Sequence, residues 1–355
     1  MARRFRSVTS AAIAVFALAG AAWACLPLGS IANAGIIEWV TVGDPGNTAD
    51  TAPAGFGAVA TSFRIMKYEF TNQLYTEFLN SVDTSGTNPN SVYKTNMGTN
   101  DRGGISFTSG AASGSKYAAR SNMGDKPVNF VSWFDAARVS NWLMNGATGS
   151  SSTETGAYTL LSGQITGTAP AENPGATFYV PTQDQWYKAA YYKGGGTSAG
   201  YWNYATQSDS ALAAVTAGPT GIGSAGSTGN FANYNFAADW NSQDGNVTTV
   251  GTNGGPSIYG AFDMSGNLWE WNDLTGAAGS TRGLRGGYWG DDAFNVSSSG
   301  IGSNAPSDGY GHIGFRLASP VSVSGVPEID LNGLSAVLGL LAAGLGLLER
   351  RRYGR

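Results

Sequence analysis

The segment Tyr259-Gly-Ala-Phe-Asp-Met-Ser-Gly-Asn-Leu-Trp-Glu-Trp271 constrains this chain more than any other. It is followed by Leu284-Arg-Gly-Gly-Tyr-Trp289 and closed by Gly314-Phe-Arg-Leu-Ala318. Aromatic, acidic and glycine residues alternate here at fixed places with almost no aliphatic filler. Such a pattern is too polar and too turn-rich for a helix or a long strand. It predicts a rigid loop that presents oxygen atoms while its tryptophans lock it into a core. The remainder of the chain agrees, because 52 glycines favour a loop-dominated fold over a helical bundle. The 10 Trp, 16 Tyr and 15 Phe must then build much of the core; each such ring buries about 150–250 Å². With 42% of 355 residues hydrophobic, there is apolar material for one domain of roughly 200–300 residues.

Both ends read as addresses. Residues 1–34 form a leader: a basic start (Arg3, Arg4, Arg6), an apolar stretch from Ser10 to Trp23, and the small-x-small cleavage site Ala32-Asn-Ala34. The mature chain is expected to begin near Gly35. At the other end stand Val326-Pro-Glu-Ile-Asp330, an apolar run from Gly333 to Leu348, and Glu349-Arg-Arg-Arg352. That run spans about 24 Å as a helix, slightly short of a hydrocarbon core of about 30 Å but workable with its flanking residues. The arginines predict that the tail stays cytoplasmic and the body outside. The order of Pro-Glu motif, apolar helix and basic cluster resembles a PEP-CTERM sorting signal at residues 326–355. That resemblance implies recognition by exosortase-type machinery, with membrane contact through the helix at least until it is removed. The alternative is a plain membrane anchor.

Residues 35–325 carry 13 Lys/Arg against 21 Asp/Glu, a net charge near −8 that the terminal arginines hide in the total. An acidic body argues against nucleic acid as a partner and suits cation binding. Cys25 is the single cysteine and lies in the leader, so disulfides, thiolate metal sites and cysteine nucleophiles are excluded from the body.

Three helices are expected. The first lies over 71–82, after the alternating run 63–70, with Leu74, Phe78 and Leu79 on its buried face. The second opens at Ser132 with Asp135 three positions on, and buries Ala136, Val139, Trp142 and Leu143. The third opens at Pro181-Thr182 with Gln185, and buries Trp186, Ala189 and Ala190. Residues 145–175 and 194–230 read as surface loops, and 319–325 as a linker. One α+β domain over 35–318, with much irregular coil, is the simplest account.

These landmarks resemble the formylglycine-generating enzyme family, the sulfatase-modifying-factor domain. The matching segments are Phe63–Asn80, Lys126–Leu143, Val180–Ala190, Tyr259–Trp271, Arg285–Trp289 and Gly314–Arg316, in order over about 255 residues. The resemblance implies a sulfatase-modifying-factor fold, an irregular relative of C-type lectins with structural calcium. It assigns Asp263 and Glu270 as side-chain ligands of one calcium, with the carbonyls of Gly266 and Leu268. The composition agrees, since calcium takes 6–8 oxygen ligands; the alternative is a tight turn whose acids cap backbone amides. A second calcium would use Asn233, the Tyr234 carbonyl, Asp244 and Asn246, with Asp239 competing for the place of Asp244.

At the active centre the pattern departs from the family. Its oxidases hold copper with two cysteines placed after the Arg-Gly-Gly-aromatic landmark, and counting without gaps puts those positions near Asp291 and Val296. Neither is a thiol, and copper(I) selects soft sulfur ligands. A sister branch holds iron with histidines, and this chain has only His312. Neither copper nor iron is therefore expected. The expected function is an exported, envelope-associated module that binds a peptide or glycan in the cleft left by the missing cysteines. The alternative is a family oxidoreductase with unrecognised chemistry. Two smaller signals carry less. Trp271-Asn272-Asp273 matches a tripeptide beside the sugar-binding calcium of C-type lectins but lacks its partner motif. Ser113-Gly-Ser-Lys116 fits the Ser-x-x-Lys pattern without companion motifs.

Overall fold

Local chemistry starts each long helix where the side chains dictate. In the computed structural model, which describes residues 37–53 and 55–321, α1 (Asn72–Val82) begins behind Thr71, whose hydroxyl accepts the Leu74 amide. After the short α2 (Asn96–Thr99), α3 (Trp133–Met144) and α4 (Gln183–Tyr191) each open with a reciprocal cap. The Ser132 hydroxyl accepts the Asp135 amide while Asp135 accepts the Ser132 amide at 2.8 Å. Thr182 and Gln185 do the same in α4. Two orphan N–H groups are satisfied at each start, which is why these boundaries are sharp. The expected inward residues are buried, except that Leu143 is only half-buried.

Strands are short. They are β1 (Trp39–Val42), β2 (Phe63–Met66), β3 (Ile105–Phe107), β4 (Tyr117–Ala119), β5 (Ala213–Ala214), β6 (Phe231–Ala232), β7 (Trp269–Asn272), β8 (Arg282–Arg285), β9 (Gly302–Asn304), β10 (Ile313–Gly314) and β11 (Ala318–Pro320). One sheet has the order β1-β2-β11, with Ile65 pairing both Val40 and Ala318. A second has the order β10-β7-β8-β9, in which β10 runs parallel to β7 and the other pairs are antiparallel. The expected strand 63–70 stops at Met66. Beyond it the backbone takes other partners: Phe70 donates to Phe315 and accepts from Val128, while Lys67 accepts from Phe262. Tertiary hydrogen bonding therefore ends the strand that alternation alone would extend.

The core is aromatic and, unexpectedly, also cationic. Trp133, Trp186 and Trp271 are fully buried, and so are Arg138, Arg282, Arg285 and Arg316. Phe70 stacks on Phe315 at 4.9 Å, and Trp133 meets Tyr158 edge-on at 5.0 Å. Arg138 forks onto Glu154 at 2.8 and 3.0 Å. Arg285 donates to the carbonyls of Ser298 and Gly300 and lies 4.5 Å from the Phe56 ring centre. Buried charge requires such partners. The 145–175 segment is more than a surface loop, since Ala157, Tyr158, Leu160 and Ala169 are buried. Its anchor is Asn141, which bonds Thr153 and both backbone groups of Tyr158. The result is an α+β fold with little regular structure. Among the described residues no helix is long and apolar enough to cross a membrane. The leader and the sorting tail lie outside the described residues.

Candidate functional site

The turn Asp263–Glu270 is the junction of the molecule. Asp263, Gly266 and Asn267 all have φ between 58° and 89°, a region that L side chains occupy at a cost. Gly266 is required by contact as well, because a Cβ there would sit 2.3 Å from the Asn233 carbonyl oxygen. Asn267 ties the neighbouring segments together. Its Nδ2 donates to Glu69 at 2.7 Å, and its Oδ1 accepts from the Thr248 amide and from Asn233 Nδ2. Its backbone bonds Asn233 and Trp289.

The two carboxylates of the turn have separate duties. Asp263 accepts the Gly251 amide at 2.6 Å and Asn253 Nδ2 at 2.8 Å. Glu270 accepts Nε and Nη2 of Arg316, both at 2.6 Å, and the indole N–H of Trp186 at 2.8 Å. Arg316 also donates to the Phe262 carbonyl at 2.8 Å. Burial, reinforced by the charges of Asp263 and Glu270, holds Glu69 well above the usual carboxylate range. Burial likewise raises Asp263, against the Gly251 and Asn253 hydrogen bonds.

The two side-chain ligands expected in this set are engaged by other partners. A guanidinium occupies the side of Glu270 where a cation's charge would be needed, and Asp263 caps a backbone amide. Among the described residues no three His, Cys, Asp or Glu side chains converge closely enough to hold a metal ion. The second set is more open. Asn233 is fully buried, and its Oδ1 is an orphan acceptor. Its Nδ2 reaches the Asn246 carbonyl at 2.8 Å, so these two expected residues do come together. Asn246 Oδ1 accepts the Val247 amide, and the Tyr234 carbonyl accepts Ala237. Asp244 is exposed, with its carbonyl held by Arg102, whereas Asp239 accepts the Gly245 amide.

The positions counted for the family's cysteines fall in different surroundings. Val296 is fully buried with Leu212 and Ala232, so that position is packed and not an open cleft. Asp291 is half-buried, accepts the Tyr288 amide at 3.1 Å and bonds the Trp269 side chain. Burial raises its carboxyl to about 6, with Asp292 adding to the shift. Around it runs a ribbon of rings that the sequence did not reveal. Phe236 meets Trp289 at 5.5 Å, Trp289 meets Tyr288 at 5.0 Å, Tyr288 meets His312 at 4.9 Å, and Tyr310 lies parallel to His312 at 5.5 Å. Arg102 covers Trp289 at 4.2 Å. His312 is therefore a half-buried member of a stack, and burial lowers its pKa. No periodicity announces the ribbon, because its rings come from three separate loops.

Elsewhere, a shallow depression of about 510 Å³ is lined by Thr206, Gln207, Ser208, Thr228, Asn230 and Pro256. A water-sized space of about 10 Å³ lies beside Asp263, Ser265 and Asn253. The tripeptide Trp271-Asn272-Asp273 is fully buried, with Asp273 bonded to Tyr158 and paired to Arg282, so it presents nothing to a ligand. Lys116 donates to the carbonyls of Ser109 and Ala111.

Comparison with known proteins adds three findings. A family profile described as the sulfatase-modifying factor enzyme 1-like domain matches residues 38–321. Among solved structures, the chain is similar to CarF, with 22% identity, 81% of this chain and 99% of that chain covered, and a TM-score of 0.47. It is similar to Treponema denticola variable protein 1 at 18% identity, covering 80% and 95% of the two chains with a TM-score of 0.46. It is also similar to PvdO from Pseudomonas aeruginosa at 19% identity, covering 81% and 92% with a TM-score of 0.37. No curated protein matches the chain.

Proposed function

Because the chain belongs to the sulfatase-modifying factor enzyme 1-like domain family, we propose that it uses that family's fold as an exported binding module for a peptide or glycan. The observation that carries this reading is the fate of the two counted cysteine positions. One is the packed Val296, and the other is Asp291, set in a partly exposed aromatic surface. With no thiol between residues 35 and 325, the copper chemistry of the family's oxidases has no ligands here.

Structural calcium belongs to the Asn233 set in this proposal. The orphaned Asn233 Oδ1, the Tyr234 carbonyl, Asp244 and Asn246 would hold it, and its role would be to fix the loop that carries Phe236. The Glu270 end of the other set is held by Arg316. The leader and the Pro-Glu tail support export through exosortase-type machinery and residence at the cell envelope, with no role for nucleic acid.

The test is to purify the full chain without added metal and measure bound metals by mass spectrometry and oxygen uptake with a thiol-containing peptide. Calcium near one equivalent with no oxygen uptake is the expected result. Stoichiometric copper or iron with thiol-dependent oxygen uptake would replace the binding reading with a family oxidoreductase. Calcium that persists in an Asp244→Ala, Asn246→Ala double variant would remove the metal from the Asn233 loop.

A further inference from the structure

If the chain is a binding module, a reading on which this inference rests, the ribbon Phe236–Trp289–Tyr288–His312–Tyr310 narrows its ligand class. The ends of the ribbon are open: Tyr310 is 49% and Phe236 43% exposed. Tyr288, His312 and Asp291 between them are half-buried. A peptide that docks by adding a strand needs a row of free backbone groups. This surface does not offer one. The carbonyls of Tyr310 and His312 accept the amides of Phe130 and Trp269, and that of Gly311 accepts Asn129 Nδ2. The carbonyls of Tyr288, Trp289 and Asp291 accept from Asp291, Phe236 and Asn235. The amides of Tyr288 and Trp289 are also engaged.

What remains to recognise a ligand is ring faces, the carboxylates of Asp291 and Asp292, and the Arg102 guanidinium. Strong charge is not selected, because Arg102 and the pair Asp291–Asp292 border the same rings with opposite sign. A pyranose matches this chemistry. Its C–H face is apolar and flat enough to lie on an aromatic ring, and its hydroxyls donate to a carboxylate in charge-assisted hydrogen bonds. From Tyr288 through His312 to Tyr310 the ring centres are 4.9 and 5.5 Å apart with interplanar angles of 40° and 3°, whereas Trp289 stands edge-on to both Phe236 and Tyr288.

We propose that this ribbon is a carbohydrate-binding face that takes neutral pyranose units of a glycan chain, stacked on Tyr310, His312 and Tyr288, with Asp291 accepting their hydroxyls. Asp291 would also report the contact by pH, since its carboxyl, raised to about 6, ionises on going from pH 5 to pH 7. Tyr310, His312, Tyr288, Asp292 and Arg102 are the other titratable or charged groups at the ribbon, and Asp101 and Asp244 act on Arg102.

The experiment titrates the full chain, held in a zwitterionic detergent without a sugar headgroup, with cellohexaose, mannohexaose and chitohexaose by calorimetry. A random heptapeptide library displayed on phage is screened in parallel. At least one hexasaccharide is expected to bind with a Kd between about 10 μM and 1 mM. Tyr310→Ala and Asp291→Asn should each weaken it at least tenfold with an unchanged thermal midpoint. Tyr310→Trp should restore binding, and Ser303→Ala on β9 should leave it unaltered. Peptides that bind while all three sugars fail would overturn the carbohydrate assignment and leave the binding module standing. Failure of both sugars and peptides sinks both readings. Sugar binding indifferent to Tyr310 and Asp291 would move the site off the ribbon.

Discussion

Glu270 and Arg316 face each other with both side chains fully buried, so neither charge tolerates the loss of the other. Removing one partner of a buried, well-bonded pair costs about 3–5 kcal/mol, because the survivor stays desolvated. Glu270→Ala is therefore expected to lower unfolding free energy by that amount in urea titrations. Glu270→Gln, which keeps one acceptor oxygen for Trp186 and Arg316 Nε but turns an amide N–H2 toward Nη2, should cost less; equal losses from both variants would assign the whole effect to the charge. Gly266→Ala tests the turn. With φ at +89° and the Asn233 oxygen 2.3 Å from the new Cβ, the backbone must move, and a strain of about 1–3 kcal/mol is expected. A thermal midpoint equal to that of the parent chain would show that the turn is free to relax. Both residues were visible in the sequence as members of the landmark segment. Their roles were not, because an acid beside a glycine turn looks the same whether its partner is a cation, an amide or an arginine far along the chain.

Elements were legible in proportion to how local their causes are. The starts of α1, α3 and α4 follow from Thr71, Ser132 and Thr182, whose hydroxyls act within three residues. Thr182→Ala should cost about 1 kcal/mol by loss of the cap. Thr182→Ser should recover most of it, as read by chemical denaturation. An unaltered Thr182→Ala would mean that tertiary packing alone holds α4. Strands were less readable. β2 is flanked by β1 and β11, and β11 lies more than 250 residues further along, so no window of sequence contains the ladder. The end of β2 at Met66 reflects partners near 128, 262 and 315.

The whole molecule carries more buried charge than its composition announces, and that sets its response to pH. Burial raises Glu172 to about 7. Burial also raises Asp273 to about 7, although Arg282 lowers it, and the hydroxyl of Tyr158 bonds it. Arg282 Nε lies 2.6 Å from Asp273 Oδ1, and its charge lowers that carboxyl by less than burial raises it. In the unfolded chain such acids titrate near 4. Between roughly pH 4 and 7 the folded state therefore holds protons that the unfolded state has released, and stability falls as pH rises. The thermal midpoint should be higher at pH 5 than at pH 8, and Glu172→Gln should flatten the slope. A midpoint that climbs from pH 5 to pH 8 in the parent chain would reverse the assignment.

The fold class and three helix starts were determined by the sequence itself, as was the absence of thiols from the body. Each rests on residue identity or on contacts within one turn. Six landmark segments in order were enough to reach the family. Tertiary structure alone decided that Glu270 pairs with Arg316, that Val296 fills a core position, and that Phe236, Tyr288, Trp289, Tyr310 and His312 share one surface. Those outcomes depend on which distant segments become neighbours. That choice is made by aromatic packing and hydrogen bonding across the whole domain, and a one-dimensional pattern does not contain it.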